Sequence, residues 1–161
     1  MLIEAAPHLH AAAAAARPNS RVVHAAAGNR SGAIRFTVAE GDGGVATLSS
    51  ATPDLARIAR EGGRTREIEV PVLTLEAILD GVTEPIDFLS INVEGGELAV
   101  LEGFDLQRFA PRVLIIEDNS GGADPRVPDY LGARGYVERF RVEQNAFYLR
   151  RDDAGAFGWT A

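Results

Sequence analysis

Apolar residues along this chain fall into short runs and alternations, broken at regular intervals by glycine, proline and polar clusters. Met1-Leu2-Ile3-Glu4 reads as the end of a buried strand. Pro7 stands where a first helical turn tolerates a missing N–H, and the alanine-rich stretch to Ala16 has high helix propensity until Arg17-Pro18-Asn19-Ser20 stops it. The run Arg21 to Ala27, ending at Gly28-Asn29, predicts the next parallel strand; strand, helix, strand in this spacing implies a right-handed crossover. Ala33 to Val38 then alternates apolar and polar, Glu40 to Gly44 turns, and Val45 to Leu48 alternates again, which predicts a β-hairpin insertion. Ser50 to Gly63 is polar and reads as a loop with a turn of helix around Leu55 to Ala59, and Arg64 to Val72 alternates as a further strand. Thr74 is placed to cap a short helix through Leu79.

The second half repeats the alternation of strand and helix. Ile86 to Val93 is the strongest candidate for a central strand; it runs into Glu94-Gly95-Gly96-Glu97 and an apolar helix through Leu98, Val100 and Leu101. Arg112 to Ile116 forms another strand, ending in Glu117-Asp118-Asn119. Ligands of open α/β sheets bind beyond the carboxyl ends of strands, which puts Asn92, Glu94 and Glu97 where chemistry is usually done. A proline-bounded helix near Tyr130 to Arg134 and a closing pair of strands, Tyr136 to Val142 and Ala146 to Arg150, predict antiparallel closure of the sheet. For Phe157 and Trp159 the pattern favours neither docking on the body nor lying free. No internal repeat or interdomain linker interrupts the sequence, so one domain is expected over residues 1–161.

Composition narrows the function. With 161 residues, 46% hydrophobic and 24% charged, the chain has the make-up of an ordinary globular domain. A net charge of -7 with scattered Lys and Arg argues against nucleic acid, whose phosphates are held by clustered basic residues. The absence of cysteine excludes disulfides, thiolate metal sites and a cysteine nucleophile, and fits a reducing cytoplasm. No apolar run approaches the roughly 20 residues that span a bilayer, so no membrane role is expected. The three histidines, at positions 8, 10 and 24, offer no convincing ligand set with Glu94 and Glu97, and no required metal is expected.

The run from Ile86 to Phe104, with its Asp87-Phe88-Leu89, its Asn92-Val93-Glu94-Gly95 and its Leu101-Glu102-Gly103, resembles the hallmark of FkbM methyltransferases, a strand "DFLKIDVEG" followed by "AE", a helix and "L-x-G". Val70 to Glu76 resembles that family's "V-T-L-D" segment, Val113 to Glu117 its next strand, Glu4 and Pro7 its "vEPnP" turn, and His24-Ala25-Ala26 its "nAAv". The resemblance implies an α/β, Rossmann-like class I methyltransferase fold: a mostly parallel sheet with an antiparallel C-terminal strand and the hairpin insertion. It implies S-adenosylmethionine as cofactor and O-methylation of a hydroxyl on a small molecule, a sugar or a natural product. Within that reading Glu4 accepts from the ribose hydroxyls, and His24, Ala25 and Ala26 flank the adenine. Asn92 stands where the family usually has Asp, beside cofactor and acceptor. An amide orients a hydroxyl but takes no proton at neutral pH, which leaves Glu94, Glu97 or water as base. The bland alternatives stay open: Glu4 as a solvated strand end, Glu94 and Glu97 as caps favouring the positive end of a helix.

The chain also departs from the family. The first strand and its glycine-rich loop have no counterpart, since Gly41 to Gly44 and Gly121-Gly122 stand in other positions, so an N-terminally truncated fold is expected. The gap would leave unpaired strand edges, an invitation to homo-oligomers. The alternative function is a noncatalytic remnant acting as a binding module. A nucleotide-dependent oxidoreductase is disfavoured because no GxGxxG is present. Acceptor choice is expected to reside in Ser50 to Gly63 and Gly121 to Pro128.

Overall fold

In the computed structural model, residues 1–42 and 44–153 are described, so Phe157 and Trp159 lie outside the described residues. The chain divides into two compact units, Met1–Ile78 and Leu79–Ala161.

In the first unit, strand β1 (Leu2–Glu4) pairs in parallel with β2 (Val22–His24), in the register Leu2 to Val22 and Glu4 to His24. Helix α1 (Pro7–Ala16) makes the crossover, with proline in its first turn and the Arg17 N–H closing on the Ala13 carbonyl. None of its residues is fully buried, so propensity and the packing of Leu9 on the core below hold it. The strand predicted over Arg21 to Ala27 is two strands in two sheets. The chain leaves the first sheet at buried Ala25, and β3 (Ala26–Ala27) pairs in parallel with β5 (Arg64–Leu73), a ladder that the Gly28 N–H extends to the Leu73 carbonyl.

The predicted hairpin is present, but its second arm is a different segment. β4 (Gly32–Glu40) pairs antiparallel with β5, from Gly32 opposite Val72 to Glu40 opposite Arg64, in the order β3-β5-β4. Val45–Leu48, predicted as that arm, is a 3-10 turn. Residues three apart eclipse on such a turn, so Val45 and Leu48 reach one cluster with Ala39 and Ile58, which alternation along a strand would have split. Helix α2 (Leu55–Arg60) follows, its Asp54 carboxylate accepting from the Arg57 N–H at 2.9 Å. Ala5, Ala6, Phe36, Val38 and Val70 form the core under the sheet. Thr74 caps α3 (Leu75–Ile78) as predicted, accepting from the Ala77 N–H at 3.1 Å.

The second unit is one four-stranded sheet. β6 (Phe88–Ile91) runs parallel to β7 (Val113–Glu117); β9 (Asn145–Arg150) is antiparallel to β7, and β8 (Tyr136–Val142) antiparallel to β9. The order is β6-β7-β9-β8, so among the described residues β6 is an edge strand, not the central one predicted. Alternation along β7 sinks Leu114 and Ile116, and the hydroxyl of buried Tyr136 donates to the Pro111 carbonyl at 2.7 Å. Helix α4 (Glu97–Glu102) follows β6, and α5 (Leu106–Phe109), which the sequence reading missed, is capped by Asp105. Helix α6 (Arg126–Gly132) starts earlier than the predicted Tyr130 to Arg134, because Pro128 falls in the first turn, where its missing N–H costs nothing. Among the described strands three pairings are parallel and three antiparallel, and they fall in three sheets where one mostly parallel sheet was expected. No helix among the described residues is long and apolar enough to cross a membrane.

Candidate functional site

Because β6 and β7 run parallel with Ile91 opposite Ile116, the residues that follow, Asn92 and Glu117, emerge side by side at the carboxyl end of the sheet. The Asn92 amide donates from Nδ2 to Glu117 Oε1 at 3.1 Å. The chain then reverses through Glu94 and Gly95, both at positive φ (56° and 101°), a region where glycine is at ease and glutamate is not. Glu97 holds this reversal: its Oε1 accepts from the Val93 and Gly95 N–H groups, each at 3.1 Å, and the residue is buried. The structure thus gathers Asn92, Glu94 and Glu97 around one turn; α4 has no side-chain cap, and the Glu97 carboxylate instead ties together the turn that precedes the helix.

Glu117 is the group that the sequence reading left out of the site. Burial, then the negative charges of Glu94 and Glu97, push its carboxyl above the usual carboxylate range, against hydrogen bonds from Asn119 and Asn92 that pull it down. Its Oε2 is buried and has no hydrogen-bond partner among the described residues. The signal was present in the strand that ends at Glu117; what the sequence lacks is the register that sets this end against Asn92.

A cleft of about 170 Å³ opens here, lined by Gly95, Glu97, Leu98, Glu117 and Asn119, with Asp124 and Arg126 among the groups that complete it. Asp124 and Arg126 neutralise one another at 2.6 Å. Between them and β7 the loop is braced by Asp118, which accepts from the Ser120 and Gly122 N–H groups and pairs with Arg141. Although burial acts in the other direction, these bonds from Ser120, Arg141 and Gly122 hold the Asp118 carboxyl below its ordinary value. Tyr148, from β9, also lines the cleft while its hydroxyl donates to Glu138 Oε2 at 3.2 Å. The segment Gly121 to Pro128, where acceptor choice was expected, supplies Asp124, Arg126, Val127 and Pro128 to the lining.

In the first unit, Glu4 and His24 are direct register partners at the carboxyl ends of β1 and β2, with Ala25 and Ala26 next along the chain. Glu4 Oε1 accepts from the Ala6 N–H at 2.7 Å, fixing the entry to α1. Each carboxylate oxygen has two lone-pair directions, so this bond leaves the group able to accept from a diol. His24 Nε2 lies 3.2 Å from the Ala5 carbonyl oxygen, and its ring packs 4.8 Å from that of His10. Among the described residues no group of three or more histidines and carboxylates is arranged to hold a metal ion.

The sequence matches the methyltransferase FkbM domain over residues 1–138. No curated protein and no solved structure gives a match.

Proposed function

Because this chain belongs to the methyltransferase FkbM domain family, we propose that it is an S-adenosylmethionine-dependent O-methyltransferase of the Rossmann-like class I kind. Its acceptor in this reading is a hydroxyl on a small molecule, a sugar or a natural product. The observation that carries the reading is the polar strand end of the second unit, where Glu117, hydrogen-bonded by Asn92, lines an open cleft.

When bound, S-adenosylmethionine supplies a methyl group already activated on a positively charged sulfur, so the protein has chiefly to orient and to exclude water. Glu4 takes the ribose hydroxyls, and His24, Ala25 and Ala26 border the adenine. Asn92 orients the acceptor hydroxyl through its amide, the Glu94 carboxylate places negative charge near the site, and Glu97 keeps the turn in shape. The mutual neutralisation of Asp124 and Arg126 leaves a polar wall with little net charge of its own, which suits a polyhydroxylated acceptor.

Calorimetry with S-adenosylhomocysteine, followed by transfer of isotope-labelled methyl to a panel of hydroxylated acceptors, tests the reading. Saturable heat and labelled ether products are the expected result; no heat and no transfer overturn it. One observation favours a noncatalytic module instead: among the described residues β6 pairs on one side only, with Phe88 65% exposed. That rival requires self-association or partner capture through this edge, without donor binding, which sedimentation across a concentration series detects.

A further inference from the structure

Resting on the methyltransferase reading, we propose that Glu117 is a catalytic residue, the acceptor of the proton that the substrate hydroxyl loses as it is methylated. Asn92, at the end of β6, is an amide and has no basic lone pair to offer at neutral pH. Its Nδ2 is instead committed as a donor to Glu117 Oε1 at 3.1 Å. The pair divides the work between two strands: β7 carries the carboxylate, and the amide of β6 supports it.

The surroundings select Glu117 over its neighbours. Glu97 spends its Oε1 on two backbone N–H groups that hold the turn. Asp118 is tied to Ser120, Gly122 and Arg141, and Asp124 to Arg126. Tyr148 gives its proton to Glu138. Glu117 alone among these combines cleft exposure with a buried oxygen that no donor among the described residues satisfies. A carboxylate with one buried oxygen left uncompensated is a stronger base than an ordinary one. Its upward shift agrees with this, since a base titrating nearer neutrality is better matched to proton transfer at physiological pH.

The step balances. The hydroxyl proton passes to the Glu117 carboxylate as the substrate oxygen's lone pair forms the C–O bond to the methyl carbon of a methylsulfonium donor. The C–S bond breaks and its electron pair stays on sulfur, leaving a neutral thioether, and the protonated Glu117 returns its proton to water.

The test uses the whole chain and Glu117→Gln, which keeps shape and volume. Carbon-13 NMR of labelled glutamate carboxyls in the cofactor-free protein should show one group titrating above the ordinary value of 4.5, absent in the variant. Asn92→Ala should move that titration higher still, because it removes a donor to the charged form. Methyl transfer by Glu117→Gln should fall by about 10²- to 10⁴-fold with its acidic pH limb lost, while affinity for S-adenosylhomocysteine stays within about twofold, an energy change well under 1.4 kcal/mol. A variant that keeps the parent's rate, or a Glu117 that titrates normally, overturns the proposal and leaves the enzyme intact. A parent chain that neither binds the thioether nor transfers methyl overturns both.

Discussion

Replacing Glu97 by glutamine and by alanine separates a turn clamp from a catalytic carboxylate. One oxygen accepts two backbone N–H groups, both at 3.1 Å, in a buried residue, so solvent screens little of the interaction. Hydrogen bonds to a charged acceptor contribute about 1.5–3 kcal/mol each; with long distances and a shared oxygen the lower figure applies, for about 3 kcal/mol in total. The clamp also holds Glu94 at φ 56°, where a side chain costs about 1 kcal/mol that relaxation of the turn recovers. Alanine at 97 should therefore destabilise the second unit by about 2 kcal/mol. Glutamine, whose carbonyl still accepts both bonds without the charge, should cost about 1 kcal/mol. Urea unfolding followed through resonances of this unit gives the energies, and faster amide exchange at Val93 and Gly95 in the alanine variant locates them. An alanine variant within about 0.5 kcal/mol of the parent, with exchange unchanged, would falsify the clamp. A glutamine variant of full stability whose methyl transfer drops about a hundredfold would instead assign the carboxylate to the chemistry.

Three further outcomes follow from single contacts. Glu4→Gln should weaken S-adenosylhomocysteine binding about 10-fold or more, since a charged acceptor for the ribose diol becomes neutral; an unchanged calorimetric affinity would remove Glu4 from the cofactor site. Tyr136→Phe should cost about 1–2 kcal/mol by stranding the buried Pro111 carbonyl, measured by urea unfolding at neutral pH. Burial pushes the Tyr136 hydroxyl up from 10.0 to about 12; the folded state therefore binds more protons than the unfolded one in that window, and stability falls as pH rises through it. The phenylalanine variant should lack this decline, and parallel pH curves for the two proteins would refute the argument. Gly63→Ala would bring a Cβ within 2.5 Å of Val45 Cγ1 and 2.8 Å of Ile58 Cγ2, an overpacking that should cost about 1–3 kcal/mol in the first unit; a variant as stable as the parent would show that the Val45 turn gives way freely.

What the sequence made legible is what short-range physics decides. Pro7 and the alanine run specify α1, Thr74 specifies the start of α3, and alternation specifies β4, β5, β8 and β9, because each depends on neighbours a few residues away. The segment Val45–Leu48 misled because its two largest apolar residues are three apart, a spacing that a 3-10 turn satisfies and that alternation mimics over so short a run. The run Arg21 to Ala27 misled differently: nothing local says that His24 and Ala26 pair with different strands, since that depends on where β5 lies.

The same distinction governs the candidate site. Asn92, Glu94 and Glu97 are legible because they lie within six residues of one another on a recognisable motif, and the turn that gathers them is local. Glu117 is 25 residues away from Asn92, and only the parallel register of β6 on β7 joins them. A reading confined to the motif therefore meets an amide where it looks for a base and turns to the nearest carboxylates, one of which is already engaged by the backbone. Once register is known, the amide at 92 has a partner on the neighbouring strand. An amide beside a carboxylate is a donor to its charged form, whereas an aspartate in its place would repel it at about 4 Å with roughly 4 kcal/mol at an intermediate dielectric. Asn92 and Glu117 thus form one hydrogen-bonded arrangement, which only the strand pairing that sets them side by side makes visible.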